Sequence, residues 1–191
     1  MKKLSGKRVA ILVADGFEAV ELTGPRTALE DEGAETEIIS PVRQWVKSWR
    51  FTDWGRKLKV NVPIDRADPH RYDALLLPGG VMNPDKLRLS HPAIQFIRSF
   101  AASGKPIAAI CHGPWTLIDA GFVQGKTMTS WPSLQTDLRN AGAHWVDQEV
   151  AVDSRLVTSR KPDDIPAFNQ SMIALFAEHA SLRERLEQRA T

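Results

Sequence analysis

Short apolar runs, each followed by a segment with helical character, limit the folds open to this chain of 191 residues. The clearest runs lie at 8–14, 74–77 and 105–111, and a shorter one lies at 36–40. Apolar residues that do not alternate with polar ones are typical of strands buried on both faces. Helix candidates lie at 19–35, 91–104, 113–121, 133–142 and 165–187. Because alternating strands and helices form parallel sheets covered on both faces, we predict an α/β fold with a mainly parallel sheet.

Two segments interrupt this alternation. Residues 45–64 contain strand-like pieces without a clear helix, and residues 144–160 read as short strands around the turn "VDSR". The first of them holds Trp45, Trp49 and Trp54, half of the six tryptophans. Because tryptophan is favoured at interfaces, this segment is predicted to lie near a subunit contact or a pocket rim, or alternatively to cover the sheet edge. Without a repeat or a linker, residues 1–191 are expected to form one domain.

The composition excludes several classes of protein. The chain has 25 basic and 23 acidic residues, and the basic ones are scattered, so no nucleic-acid partner is expected. Its apolar runs are too short to cross a membrane, and the run at 9–14 is too short for a secretion signal, so a cytoplasmic protein is expected. The single cysteine cannot form an internal disulfide, and the sequence shows no cluster of Cys and His to bind a metal.

Three strand ends carry residues suited to chemistry. The first strand is followed by Glu18, the run at 74–77 by Gly79 and Gly80, and the run at 105–111 ends at Cys111, before His112. In open parallel sheets, ligands bind beyond the carboxyl ends of the strands. These residues are therefore candidates for one common site.

Cys111 is predicted to lie on a tight turn between a strand and a helix, as in a nucleophile elbow. A helix N-terminus beneath the sulfur favours the thiolate, because free N–H groups attract negative charge. The position alone leaves an alternative open, since a lone cysteine is often a small buried apolar side chain. Backbone N–H groups at His112 and in the glycine turn could stabilise an oxyanion. Glu18, beside a forming thiolate, would be driven toward its protonated state.

The segments "ADGFEAVEL", "LLLPGG", "AICHGPW", "NAGAHWVDQEVAVD" and "VTSRKPDDIPAFN" together resemble the PfpI-type intracellular protease and general stress protein family. That family belongs to the superfamily with the class I glutamine amidotransferase-like fold. The resemblance covers residues 7–176. It implies a flavodoxin-like three-layer α/β sandwich with a mainly parallel central sheet.

The resemblance also implies roles for residues of the site. Cys111 matches the nucleophile, His112 its histidine partner, and Glu18 the glutamate that contacts the nucleophile. The backbone N–H groups of Gly80 and His112 match the oxyanion hole. Asp85 is the nearest match to a third acid that comes from a neighbouring subunit, which would require a homodimer. Whether dimers assemble further into hexamers stays open.

The activity implied by the resemblance has three forms. The first is a cofactor-independent glyoxalase or deglycase, in which a Cys111 thiolate acts on small reactive carbonyls or early glycation adducts during stress. The second is an intracellular cysteine peptidase, which would need a cleft for a peptide chain. The third is a redox-sensing stress protein or chaperone in which Cys111 is oxidised. No recognisable peptide-binding pocket is evident in the sequence, which favours carbonyl substrates.

Overall fold

The computed structural model describes residues 2–190, and side chains as far as residue 179. The strands are β1 (Arg8–Leu12), β2 (Phe17–Glu18), β3 (Glu35–Ser40), β4 (Trp45–Arg50), β5 (Asp53–Lys59), β6 (Val62–Pro63), β7 (Ala74–Leu77), β8 (Ile107–Ile110), β9 (Thr127–Met128), β10 (His144–Trp145), β11 (Val150–Asp153) and β12 (Leu156–Ser159). The α-helices are α1 (Ala19–Asp31), α2 (Met82–Arg88), α3 (His91–Ala102), α4 (Trp115–Asp119), α5 (Gln135–Asn140) and α6 (Ile165–Ala190).

The central sheet has seven strands in the order β11-β12-β8-β7-β1-β3-β6. All neighbours in it are parallel except β11 and β12, which form an antiparallel hairpin at one edge. The predicted α/β fold with a mainly parallel sheet is therefore confirmed. The order also places β1, β7 and β8 side by side, so the three strand ends predicted to form a site are neighbours.

Both faces of the central sheet are buried, because alternate residues of each strand pack into different cores. In β1, Ala10 and Leu12 belong to the core with α3, α4 and α5, whereas Val9 and Ile11 belong to the core with α1 and α6. Side chains of successive strand residues point to opposite faces, so a strand between two helical layers must be apolar throughout. This explains the continuous apolar runs and produces the predicted three-layer sandwich.

The tryptophan-rich segment, predicted to contain strand-like pieces without a helix, forms a β-hairpin. β4 and β5 pair antiparallel with a bulge between Lys47 and Trp49, and β4 also pairs parallel with β2. Two hydrogen bonds join the hairpin to the turn that follows β1: Lys47 N–H donates to the Asp15 carboxylate Oδ1 at 2.6 Å, and Gly16 N–H donates to the Lys47 carbonyl at 2.8 Å. The hairpin is thereby held beside the carboxyl end of the sheet.

Helix α2 was not predicted from the sequence. It follows the Gly79-Gly80 turn directly and has seven residues, with Pro84 near its start. Among the residues that the structure describes, no helix is long and apolar enough to cross a membrane.

Candidate active site

Cys111 lies immediately after β8 in a strained backbone conformation. Its φ is +61°, a left-handed value that residues with a side chain rarely adopt. Its N–H donates to the Ser159 carbonyl at 3.0 Å, and its carbonyl accepts from Trp131 N–H at 2.8 Å. A Cβ at Gly113 would collide with the Leu77 carbonyl, so only glycine lets the chain turn here. These contacts hold the sulfur at the predicted elbow, and strain of this kind clusters at functional sites.

Two backbone donors converge on the sulfur. The N–H groups of Gly80 and His112 both donate toward Cys111 Sγ. The glycine turn can come this close because Gly79 has no Cβ. A Cβ at this position would lie only 2.6 Å from Cys111 Cβ and 2.8 Å from the His112 nitrogen. The two N–H groups predicted from the sequence are therefore brought together at the reactive atom.

The glutamate that contacts the thiol is Glu21, which corrects the expectation that Glu18 does so. The Glu21 carboxyl lies within hydrogen-bonding reach of the Cys111 sulfur, and Oε2 accepts from Gly79 N–H at 2.9 Å. Only 1% of Glu21 is exposed. Burial raises its pKa to about 8, with the nearby Glu18 charge acting in the same direction, so the carboxyl is mostly protonated at pH 7.

Glu18 lies one helical turn earlier, at the N-cap of α1, and also lines the site. Its Oε2 accepts from Phe51 N–H of the hairpin at 3.3 Å. Its Oε1 is buried and has no hydrogen-bond partner among the described groups. Burial raises the pKa of this carboxyl. Glu18 is thus a cleft carboxyl that contacts the hairpin, whereas Glu21 faces the sulfur.

His112 contacts the sulfur through its side chain. Its Nδ1 lies 3.2 Å from Cys111 Sγ, and its Nε2 lies 3.5 Å from the Ser133 hydroxyl. The ring stacks on Trp131, with 5.7 Å between ring centroids. Burial lowers its pKa to about 4, so the imidazole is neutral at pH 7 and one of its nitrogens can accept a proton. Trp131 and Ser133 were not predicted as site residues; they lie at the start of a short 3-10 helix, Pro132–Leu134, some 20 residues after Cys111.

The resting state of Cys111 differs from the sequence expectation of a stabilised thiolate. Burial raises the pKa of the thiol well above its ordinary value, and the Glu21 charge raises it further. The N–H groups of Gly80 and His112 oppose this shift without reversing it. The helix that follows, α4, has only five residues, so its N-terminus contributes little against the desolvation. Burial thus favours the protonated thiol in the resting protein.

The sulfur lies in a cleft of about 660 Å³. Glu18, Glu21 and His112 supply its ionisable groups besides the thiol, and the rest of its lining is mainly apolar: Trp49, Phe51, Trp54, Gly80, Val81, Met82, Trp131 and Pro162. Trp49 and Trp54 therefore belong to the pocket rim, one of the positions predicted for the hairpin, whereas Trp45 does not line the cleft.

Asp85 is not among the residues that line the cleft. It lies in the first turn of α2, five residues beyond Gly80, and its side chain is exposed. Within one chain, therefore, the structure does not bring Asp85 together with Cys111. Among the described residues, no group of three or more His, Cys, Asp or Glu side chains is arranged to hold a metal ion.

Comparisons with known proteins converge on one family. The model of the DJ-1/PfpI family matches residues 7–175. Protein/nucleic acid deglycase 2 of Escherichia coli is 43% identical over 170 residues, which cover 88% of this chain and 97% of the relative. General stress protein 18 of Bacillus subtilis is 40% identical over 171 residues, covering 89% and 98%. The crystal structure of Drosophila melanogaster DJ-1beta superposes with a TM-score of 0.80 at 26% identity, covering 92% of this chain and 96% of that one.

Proposed function

The chain belongs to the DJ-1/PfpI family, and from that premise we propose that it is a stress-response enzyme of the glyoxalase or deglycase type. Cys111 would attack reactive carbonyls or early glycation adducts without a cofactor. The observation that carries this proposal is the surroundings of the sulfur: two N–H donors, a neutral imidazole and a protonated carboxyl all converge on it. The names of the two relatives, a deglycase and a stress protein, support it.

In the first step, Cys111 Sγ bonds to the aldehyde carbon of methylglyoxal. The thiol proton moves to His112 Nδ1, 3.2 Å away, as the carbonyl π electrons move onto oxygen. The N–H groups of Gly80 and His112, which donate toward the sulfur, are suited to stabilise the resulting oxyanion beside it. Return of the proton from His112 to that oxygen yields a neutral hemithioacetal.

In the second step, a proton leaves the former aldehyde carbon and another is added to the neighbouring carbon, which converts the hemithioacetal to a thioester. The Oε1 atoms of Glu18 and Glu21 are both buried without a hydrogen-bond partner among the described groups, and both residues line the cleft, so these carboxyls are suited to carry this proton. Water then breaks the C–S bond, releasing lactate and restoring the thiol. Methylglyoxal and water thus become lactate and a proton, and no oxidant or reductant is consumed.

An early glycation adduct enters the same series of reaction steps after one additional step, in which its carbon is transferred to Cys111. In such an adduct, the aldehyde carbon is bonded to an amine nitrogen or a thiol sulfur. Transfer of that carbon to Cys111 breaks the C–N or C–S bond, and the proton goes to the leaving atom. The released amine or thiol is then free of the adduct, and the carbonyl unit proceeds to the 2-hydroxy acid.

The proposal includes a homodimer in which Asp85 completes the site of the neighbouring subunit. Its support is that Asp85 is exposed on the helix that begins at the glycine turn, yet lies outside the cleft of its own chain. We also assign the protein to the cytoplasm, where a single functional thiol stays reduced.

The test is to incubate wild type and Cys111→Ala separately with methylglyoxal, a glycated thiol and casein. Lactate, adduct loss and peptide release are the readouts. Lactate or adduct loss that depends on Cys111 is expected. Peptide release alone would replace the proposal with the cysteine peptidase, and no Cys111-dependent turnover of any substrate would leave only the redox-sensing stress protein.

A further inference from the structure

Within one chain, the mouth of the cleft carries exposed apolar surface. Four large apolar side chains that remain exposed line this one cleft: Phe51 (65% exposed), Val81 (58%), Trp54 (42%) and Trp131 (38%). Apolar groups gathered around one concave site mark a place where a ligand is bound, because leaving them in water costs free energy. Methylglyoxal, with one methyl group, would cover little of this surface.

The aromatic rings are held in place before any ligand arrives. Trp49 Nε1–H donates to the Phe51 carbonyl at 2.9 Å, and the Trp49 and Trp54 rings meet edge to face at 5.4 Å. The Lys47 ammonium lies 4.6 Å from the centre of the Trp54 ring. Rings fixed in this way lose little side-chain freedom on binding, which makes their contacts with a ligand more favourable.

The charges of the cleft point to a neutral ligand. Among the described residues that line it, none is Lys or Arg, and the acids are Glu18 and Glu21. Inside the cleft, an anionic substituent would face these carboxyls in a desolvated site, because the Lys47 ammonium lies over the Trp54 ring but does not line the cleft. A flat neutral ring, in contrast, can pack against the tryptophans edge to face or offset.

We propose that the cleft selects α-oxoaldehydes, and the adducts derived from them, that carry a neutral aromatic substituent, with Trp54 as a specificity-determining residue. This inference rests on the proposed function and specifies its substrate class. Phenylglyoxal is the simplest such compound. It reacts as methylglyoxal does: Cys111 adds to the aldehyde carbon, a proton moves between the two carbons, and water releases mandelate and the thiol.

The experiment compares kcat/KM for phenylglyoxal, methylglyoxal, cyclohexylglyoxal and para-carboxyphenylglyoxal. Wild type is expected to prefer phenylglyoxal to methylglyoxal by at least about tenfold, and to prefer it to the cyclohexyl and carboxylated compounds. Trp54→Ala should lower the ratio of phenylglyoxal to methylglyoxal by about tenfold, mainly through KM. Trp45→Ala is the matched control, because Trp45 is exposed on the same hairpin but does not line the cleft, and its ratio should match wild type.

Equal kcat/KM for phenylglyoxal and methylglyoxal in wild type, or an unchanged ratio in Trp54→Ala, would overturn the inference while leaving the glyoxalase intact. If none of the four compounds is turned over, the proposed function fails. Ligand binding measured by calorimetry then tests the inference separately. Cys111→Ala would be titrated with α-hydroxyacetophenone and with hydroxyacetone, which differ in the ring. Tighter binding of the aromatic ketone supports the aromatic cleft, and equal or weaker binding refutes it.

Discussion

At the scale of single residues, the site depends on how protons are shared between Cys111 and Glu21. The Glu21 charge raises the pKa of the thiol, whereas Glu18 faces the hairpin. We predict that Glu21→Gln lowers the pKa of Cys111, because the amide keeps the acceptor for Gly79 N–H but has no charge. The absorbance of the thiolate, followed over a range of pH values, measures this pKa. Glu18→Gln is the matched control and should change the curve less; a Cys111 pKa that is unchanged or higher in Glu21→Gln would contradict the assignment.

Position 80 is predicted to require glycine for two reasons: a side chain there would clash with neighbouring backbone, and its φ angle is positive. Gly80 has φ +77°, and a Cβ there would lie 2.5 Å from the Gly16 carbonyl oxygen and 2.7 Å from the Glu18 nitrogen. Gly121 has φ +72° with nothing within 4 Å, so Gly121→Ala is a matched control. Gly121→Ala should cost about 1 kcal/mol of unfolding free energy, and Gly80→Ala a few kcal/mol more. Denaturant unfolding that shows equal losses would contradict this.

The sequence identified much of the site at this scale, but it did not separate two glutamates on one turn. Cys111, His112 and Gly80 follow buried strands, and a parallel sheet brings such ends together. Glu18 and Glu21 lie three residues apart at the start of α1. Which of the two side chains meets the sulfur depends on the residue at which the helix begins, and the sequence does not specify that residue. The clue was that Glu21 stands between Val20 and Leu22, where a buried acid is unusual.

At the scale of elements, the hairpin depends on its anchor to the turn that follows β1. Removing the Asp15 carboxylate in Asp15→Ala takes away the acceptor of Lys47 N–H. We expect amide hydrogen exchange in β4 to become faster by roughly tenfold, with little change in the central sheet, because one local hydrogen bond is lost. Asp53→Ala, on the same hairpin, is the control, since its carboxyl accepts from the adjacent Trp54 N–H. Equal rates of hydrogen exchange in β4 of both variants would contradict the role of Asp15 as the anchor of the hairpin.

Elements with a clear hydrophobic pattern could be predicted, and α2 shows why others could not. It is short, and its position depends on the buried Asn83, whose Oδ1 accepts from Ala14 N–H at 2.7 Å and whose Nδ2 donates to the Pro78 carbonyl at 2.8 Å. These contacts join residues up to 69 positions apart. A helix defined by such tertiary hydrogen bonds leaves little periodic signal in the sequence.

At the scale of the whole molecule, Glu21 links stability to pH. Its pKa rises from 4.5 to about 8 on folding, so folding favours the protonated carboxyl. The resulting stability is fully present below pH 4.5 and is lost as the pH rises toward 8, by at most about 1.4 kcal/mol per pH unit. Unfolding free energies should therefore fall between pH 5 and 8 in wild type relative to Glu21→Gln. A constant difference between the two proteins over this range would contradict a buried, protonated Glu21.

The proposed dimer can be tested by mixing two inactive variants. If Asp85 acts on the neighbouring subunit, Cys111→Ala and Asp85→Ala subunits exchanged in equal amounts form mixed dimers with one complete site. Activity should then recover to about a quarter of wild type, since half of the dimers are mixed and each has one of two sites intact. No recovery, with subunit exchange verified by mass, would place Asp85 outside the site.

The proposed reaction requires the Cys111 sulfur to form a bond with the carbonyl carbon of the substrate. The most direct measurement is kcat/KM for conversion of methylglyoxal to lactate by wild type and by Cys111→Ser, in which oxygen replaces sulfur and little else changes. A hydroxyl in the same place is a far weaker nucleophile, so kcat/KM should fall on the order of 10³-fold while the fold and unfolding free energy are retained. A folded Cys111→Ser protein with kcat/KM within about tenfold of wild type would contradict this requirement.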